Sequence, residues 1–171
     1  MPAKRLALLH NAWPVTPFCV HFAKGLVQAG LEVDFFYDER HSPMADIQNH
    51  THIRGLQFFR ITPDFASNSL ESCLEYRDRV VSMFGPNNDA GYAGILGVEK
   101  TGCILAAAIG KKLRLPHFCW SLELYDEKHP WYRAFAAAPS WLKMEADALQ
   151  SAEAILIQDE DRAAVLDARL N

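Results

Sequence analysis

Two carboxylates and a lysine stand where they could handle a hydroxyl-rich or phosphorylated ligand. Glu99 and Lys100 follow an apolar run through Ile95, Leu96 and Val98, and Glu123 ends the run that starts at His117. Carboxylates accept hydrogen bonds from hydroxyl groups, and a lysine offers a point charge to phosphate. The amide N–H groups of a helix start add to that attraction. The plainer role for Glu99 and Lys100 is a surface ion pair, worth under about 1 kcal/mol.

The elements that must position these groups lie between Gly91 and Leu124, read as strand, tight loop, helix, short turn and strand. The continuous apolar runs suit strands covered on both faces, as parallel strands are. Thr101 is expected to cap the helix and Gly102 to let its backbone come close. Ile104, Leu105, Ala108, Ile109 and Leu113 supply an inward stripe, Lys111 and Lys112 complement the helix's negative end, and Pro116 stops it. Such a βαβ unit brings Glu99, Lys100 and Glu123 to the carboxyl ends of the strands, where open α/β sheets bind ligands.

Composition removes several function classes. The chain has 171 residues, 50% of them hydrophobic and 22% charged, which suits one domain with its own core. A formal net charge of -4 offers no basic field, so nucleic acid is not an expected partner. Cys19, Cys73, Cys103 and Cys119 lack C-x-x-C spacing and fall in apolar patterns, so they read as buried, reduced thiols of a cytoplasmic protein. No run reaches the roughly 18 apolar residues of a membrane span. The loop after the first strand has no glycine, which argues against a dinucleotide, and no G-x-x-x-x-G-K-[ST] loop is present. His41, His50 and His52 lie in a polar stretch, 38–54, expected as a surface loop; no Cys or carboxylate stands at ligand spacing to complete a metal set, so no metal is expected.

In chain order, Arg5 to His10 is a buried strand. Thr16 at the N-cap and Pro17 at the first helical position open a helix with Phe18, Phe22, Ala23 and Leu26 inward, closed by Gly30. Leu31 to Tyr37 and Gly55 to Ile61 are the next strands. Asn68 or Ser69 opens a helix with Leu70, Cys73, Leu74, Val80, Val81 and Phe84 inward, ended by Gly85-Pro86; Glu71, Glu75, Arg77, Asp78 and Arg79 form its solvated face. Residues 125–139 carry Trp131, Tyr132 and Phe135 beside Lys128 and Arg133, read first as a lid packing its aromatics on the domain and second as a contact with a membrane surface or greasy acceptor. Ser140 starts a helix with Trp141, Met144, Ala148 and Leu149 inward. Ala154 to Ile157 is a last buried strand, and Asp159, Glu160 and Asp161 open the final helix, with Arg169 near its end. Six strands alternating with about as many helices predict a three-layer α/β/α sandwich on a doubly wound, mainly parallel sheet.

Three segments, LALLHNAWPVTPFCVHFAKGLVQAGLEVDFF, GVEKTGCILAAAIGKKLRLPHFCWSLELYD and SAEAILIQDEDRAAVL, resemble the amino-terminal domain of GT-B glycosyltransferases of the large retaining family. The likeness covers nearly the whole chain: a strand with its acceptor loop, a strand followed by a small-residue helix, an "iP.v...E" strand, then "ad.ii..s...r..l". It implies a single Rossmann-like domain over 1–171 that is half of an enzyme, the acceptor-binding half. The partners it implies are a carbohydrate or lipid-linked acceptor and a carboxy-terminal domain that holds most of a nucleoside diphosphate sugar, with no other cofactor. By position it implies acceptor and donor-phosphate contacts at His10, Asn11, Trp13 and Thr16, at Lys100 and Thr101, and at Ser121 and Tyr125, with Glu99 and Glu123 as catalytic candidates. Trp13 would stack on a sugar ring or plug the sheet end. The chain departs from the family pattern in having no glycine pair in the first loop and no histidine after the fifth strand, where Ser121 and Glu123 stand instead. The chemistry implied is electrophilic migration of a sugar's anomeric carbon to an acceptor hydroxyl, with the leaving diphosphate held by cations and helix N-termini. Localisation is expected in the cytoplasm, with a peripheral contact at the inner face of the membrane. The competing reading is a non-enzymatic α/β ligand-binding or protein-interaction module.

Overall fold

The computed structural model describes residues 4–10, 17–38, 40, 47, 52–62, 64, 70–121 and 138–170. Their elements are β1 (Arg5–His10), α1 (Pro17–Gln28), β2 (Glu32–Asp38), β3 (Leu56–Ile61), α2 (Leu70–Phe84), β4 (Tyr92–Val98), α3 (Glu99–Leu113), β5 (His117–Ser121), α4 (Ala138–Gln150), β6 (Ala154–Ile157) and α5 (Glu160–Leu170). The strands form one sheet in the order β3-β2-β1-β4-β5-β6, with every neighbouring pair parallel. The direction of winding reverses between β1 and β4, which makes the sheet doubly wound, as the sequence predicts.

Side chains alternate between the two faces of the sheet. Leu8, Val33, Phe35, Tyr37, Leu96, Val98 and Trp120 pack on one face with Cys19, Val20 and Ala23 of α1. On the other face, Ala7, Leu9, Phe36 and Ile95 pack against Tyr76, Val80 and Phe84 of α2 and Leu105 and Ile109 of α3. A smaller cluster of Cys103, Cys119, Leu149 and Leu166 ties α3, β5, α4 and α5 together. All four cysteines are free and buried. A hydrogen bond with the Cys119 thiol, together with burial, pushes the Cys103 thiol well above its ordinary pKa.

Several local expectations change. Phe18 is 55% exposed rather than inward, lying with its ring 5.2 Å from that of Trp120, while Cys19 and Val20 take the buried stripe. Leu74 is exposed because the core face of α2 runs through Cys73, Tyr76, Val80 and Phe84 at three- and four-residue steps. Asp38 does not begin a surface loop: it is the last residue of β2 and is 1% exposed. β6 is half-buried, as an edge strand with one covered flank must be. Gly30 closes α1 as expected, with φ +92 and hydrogen bonds from Gly30 N–H to Val27 O and from Leu31 N–H to Leu26 O.

Candidate functional site

Parallel register decides which strand ends meet. Leu9 is level with Gly97, and Gly97 with Cys119, so the next residues along, His10, Val98 and Trp120, form a row at the carboxyl edge of the three central strands. Glu99 and Ser121 come one step further. Adjacent strands lie about 4.8 Å apart, so the groups on β1, β4 and β5 share a rim about 10 Å wide. The strand ends at His10, Val98 and Ser121 therefore meet on one edge, with Glu99 next in the chain after Val98.

The middle of that rim has an unusual backbone. Thr101 does not cap α3; the strand passes straight into the helix, Val98 holds the N-cap position without a side-chain hydrogen bond, and Glu99 is already the first helical residue. Glu99 has φ +62, a left-handed conformation that a residue with a Cβ adopts at a cost of about 1–2 kcal/mol. Two glycines make the sharp turn. A Cβ on Gly97 would stand 2.2 Å from the Gly102 carbonyl oxygen, and one on Gly102 would stand 2.8 Å from the Leu9 carbonyl oxygen. Strand and helix are thus pressed together at a point where only glycine fits.

The groups on the rim differ in access. His10 is 3% exposed and Ser121 4%, so both are walls of the site more than its surface. The hydroxyl of fully buried Tyr76 faces the backbone of His10 and makes no hydrogen bond of standard geometry among the described residues; burial raises its pKa well above the usual value. Glu99, Lys100 and Thr101 are half-buried. Lys100 Nζ lies 2.7 Å from Glu145 Oε1, an ion pair that ties the first turn of α3 to α4. Asn11, Trp13, Thr16, Glu123 and Tyr125 lie outside the described residues, as do Trp131, Tyr132 and Phe135 of the expected lid and His41 and His50 of the histidine stretch.

Among the described residues, three buried acidic groups escape a reading of the sequence by motif. Asp38 holds Arg40 with both carboxylate oxygens, and Arg40 Nη2 also donates to Ser72 Oγ at 2.8 Å. In dinucleotide folds an acid beyond the second strand accepts from a ribose hydroxyl; here that carboxylate is engaged within the domain. Asp34, inside β2, accepts from the Tyr92 hydroxyl at 2.5 Å and pairs with Arg5 at 2.6 Å, near the opposite, amino edge of the sheet. Glu145 is the third. The available signal was an acid interrupting an apolar pattern, as in VDFFYD and along the inward stripe of α4. Asp159 behaves as expected at the start of α5, accepting from Arg162 N–H at 2.8 Å. Among the described residues no group of three His, Cys, Asp or Glu could hold a metal ion, and no helix is long and apolar enough to cross a membrane.

No protein-family model matches the chain, and no curated protein matches its sequence. Solved structures do match. Sucrose-phosphate synthase from Thermosynechococcus elongatus superposes with TM-score 0.68 at 14% identity, over 98% of this chain and 45% of that one. MurG from Acinetobacter baumannii gives TM-score 0.62 at 9% identity, over 92% and 42%. A UDP-glucosyltransferase from Polygonum tinctorium gives 0.60 at 12%, over 99% and 48%. The chain has the fold of one Rossmann-like domain of a GT-B glycosyltransferase. It spans slightly less than half the length of these three GT-B chains. Against a second solved chain of the sucrose-phosphate synthase it covers 95% of itself and 81% of that chain, at TM-score 0.69.

Proposed function

We propose that this chain is the acceptor-binding, amino-terminal half of a sugar-nucleotide-dependent glycosyltransferase. It would transfer a hexosyl group to a hydroxyl of a carbohydrate or lipid-linked acceptor, with the nucleoside diphosphate sugar held mainly by a second, carboxy-terminal domain. One observation carries the reading: three central parallel strands end together, β1 at His10, β4 at Val98 just before Glu99, and β5 at Ser121, which sets a carboxylate-bearing residue in the middle of the row. A sheet edge of this kind is where ligands bind in open α/β folds, and carboxylates suit hydroxyl-rich acceptors. The resemblance to glycosyltransferases in fold supports the assignment.

In this reading Glu99 and Thr101 are within direct reach of an acceptor. Lys100 would meet the donor phosphate with an ammonium whose charge is shared with Glu145, and His10 and Ser121 shape the floor. Asn11, Trp13, Thr16, Glu123 and Tyr125 would complete the acceptor and phosphate contacts. The test is transfer from radiolabelled UDP-glucose and related donors to a panel of sugar acceptors. The chain by itself is expected to be silent and to become active when joined to a donor-binding domain. Turnover by the chain alone would overturn the half-enzyme reading, and silence in the joined protein would favour a non-enzymatic binding module.

A further inference from the structure

Of the four cysteines, Cys19 packs on the α1 face of the sheet and Cys73 on the α2 face, while Cys103 and Cys119 share one small cluster with Leu149 and Leu166. The glycines of the β4–α3 junction build that neighbourhood. A Cβ on Gly97 would stand 2.6 Å from the Cys103 nitrogen, so the start of α3 lies on the β4 backbone with no layer of side chains between them. Parallel register sets Cys119 level with Gly97 on the adjoining strand, about 4.8 Å away. Cys103 Sγ therefore comes down beside the sheet, 3.5 Å from the Gly97 carbonyl oxygen, and meets the Cys119 thiol in a hydrogen bond. Cys119 Sγ lies 3.9 Å from the Ala148 carbonyl oxygen of α4. A disulfide needs its two Cα atoms within about 7 Å of each other. A helix and a strand come that close only where side chains do not fill the space between them, as at this junction.

We propose that Cys103 and Cys119 are a redox pair that closes into a disulfide, stapling the start of α3 to β5 beneath the carboxyl rim. The pair takes no part in the sugar transfer proposed above, and the two readings stand or fall separately. The oxidant is a small disulfide of the glutathione kind. One protein thiolate attacks a sulfur of that disulfide and expels one glutathione thiolate, leaving a mixed disulfide. The second protein thiolate attacks the protein sulfur of the mixed disulfide and expels the other. The two protein thiols lose two protons and two electrons in all, and the oxidant takes up both and leaves as two thiols. Cys103 is 1% exposed and Cys119 0%, so exchange begins when the cluster opens, and the bridge is kept because native packing already holds the two sulfurs together. Cys19 and Cys73 belong to other clusters and stay reduced under the same conditions.

The test equilibrates the chain in mixtures of oxidised and reduced glutathione, once from the folded state and once by refolding from urea in the same mixtures, so that access to the buried thiols does not limit the outcome. Samples are quenched with acid, alkylated, digested and read by mass spectrometry. One peptide linking Cys103 to Cys119 is expected, with Cys19 and Cys73 alkylated and the link reversed by dithiothreitol. Closing a loop of this length should raise Tm by about 6–12 °C over the reduced protein. Cys103→Ser should melt like the reduced wild type and show neither the link nor the rise. A refolded protein that carries no such link, or that links Cys19 or Cys73 as readily, would overturn the assignment. So would a bridged protein that melts with or below the reduced one, because the bridge would then fit only the unfolded chain.

Discussion

A methyl group added at Gly97 is the sharpest perturbation of the β4–α3 junction. Its Cβ would stand 2.2 Å from the Gly102 carbonyl oxygen, 2.4 Å from the Gly102 carbonyl carbon and 2.6 Å from the Cys103 nitrogen. All three are backbone atoms, so no change of rotamer relieves the contact. Ordinary separation is about 3.5 Å, and the start of α3 must therefore retreat from β4 by about 1 Å. That movement loosens Cys103, Ile104, Leu105 and Ile109, which are buried against the sheet and its neighbours. Overpacking of this kind costs about 1–3 kcal/mol, and with the displacement falling on backbone the upper end, about 3 kcal/mol, applies. In a protein of this size 1 kcal/mol shifts Tm by about 2–4 °C, so Gly97→Ala should lower Tm by about 6–12 °C. Gly25→Ala is the control: its Cβ would meet nothing within 4 Å, and it lies inside α1, where alanine is favoured by about 0.5–1 kcal/mol. Circular dichroism melts should therefore move in opposite directions for the two variants. A Gly97→Ala protein that melts with or above the wild type would refute the tight β4–α3 junction.

Further predictions follow from the buried charges. Asp34→Ala should cost about 2–3 kcal/mol in urea unfolding, because it strips the Arg5 guanidinium and the Tyr92 hydroxyl of their shared acceptor; a loss under about 0.5 kcal/mol would contradict the network. Burial, and then the hydrogen bond to Asp34, raise the Tyr92 pKa far above its usual value. Stability should thus be complete below about pH 10, where the unfolded tyrosine keeps its proton, and fall by at most about 1.4 kcal/mol per pH unit above that, with Tyr92→Phe making the decline shallower. Lys100→Met removes the ammonium beside mostly buried Glu145 and should cost about 1–2 kcal/mol, while adding Glu145→Leu should recover most of it in a double-mutant cycle. The four buried thiols should react with Ellman's reagent only as fast as the chain opens; a rapidly labelled thiol would contradict their burial.

The alternation of apolar runs and helical stripes made the sheet legible, because a parallel strand buried on both faces leaves an uninterrupted apolar signature and β1, β4 and β5 each carry one. The rim was legible for the same reason: once those strands are parallel neighbours, whatever follows them meets. Phe18 and Leu74 were misassigned because periodicity fixes that a stripe exists but leaves its phase open by about one residue. The conformation of Glu99 could not be read, since it depends on how closely Gly97 and Gly102 approach one another across the turn. Buried Asp34, Asp38 and Glu145 were hidden because their partners, Tyr92, Arg40 and Lys100, are supplied by the fold or by a local turn and not by a motif.

The central claim is that the carboxyl rim of the sheet is the ligand site. Amide chemical shifts of the chain, followed while a panel of hexoses and methyl glycosides is titrated in, test it most directly. The largest shifts should gather at His10, from Val98 to Gly102, and at Ser121. Shifts gathered instead around Arg5, Asp34 and Tyr92 at the amino edge, or none at all along the rim, would contradict it.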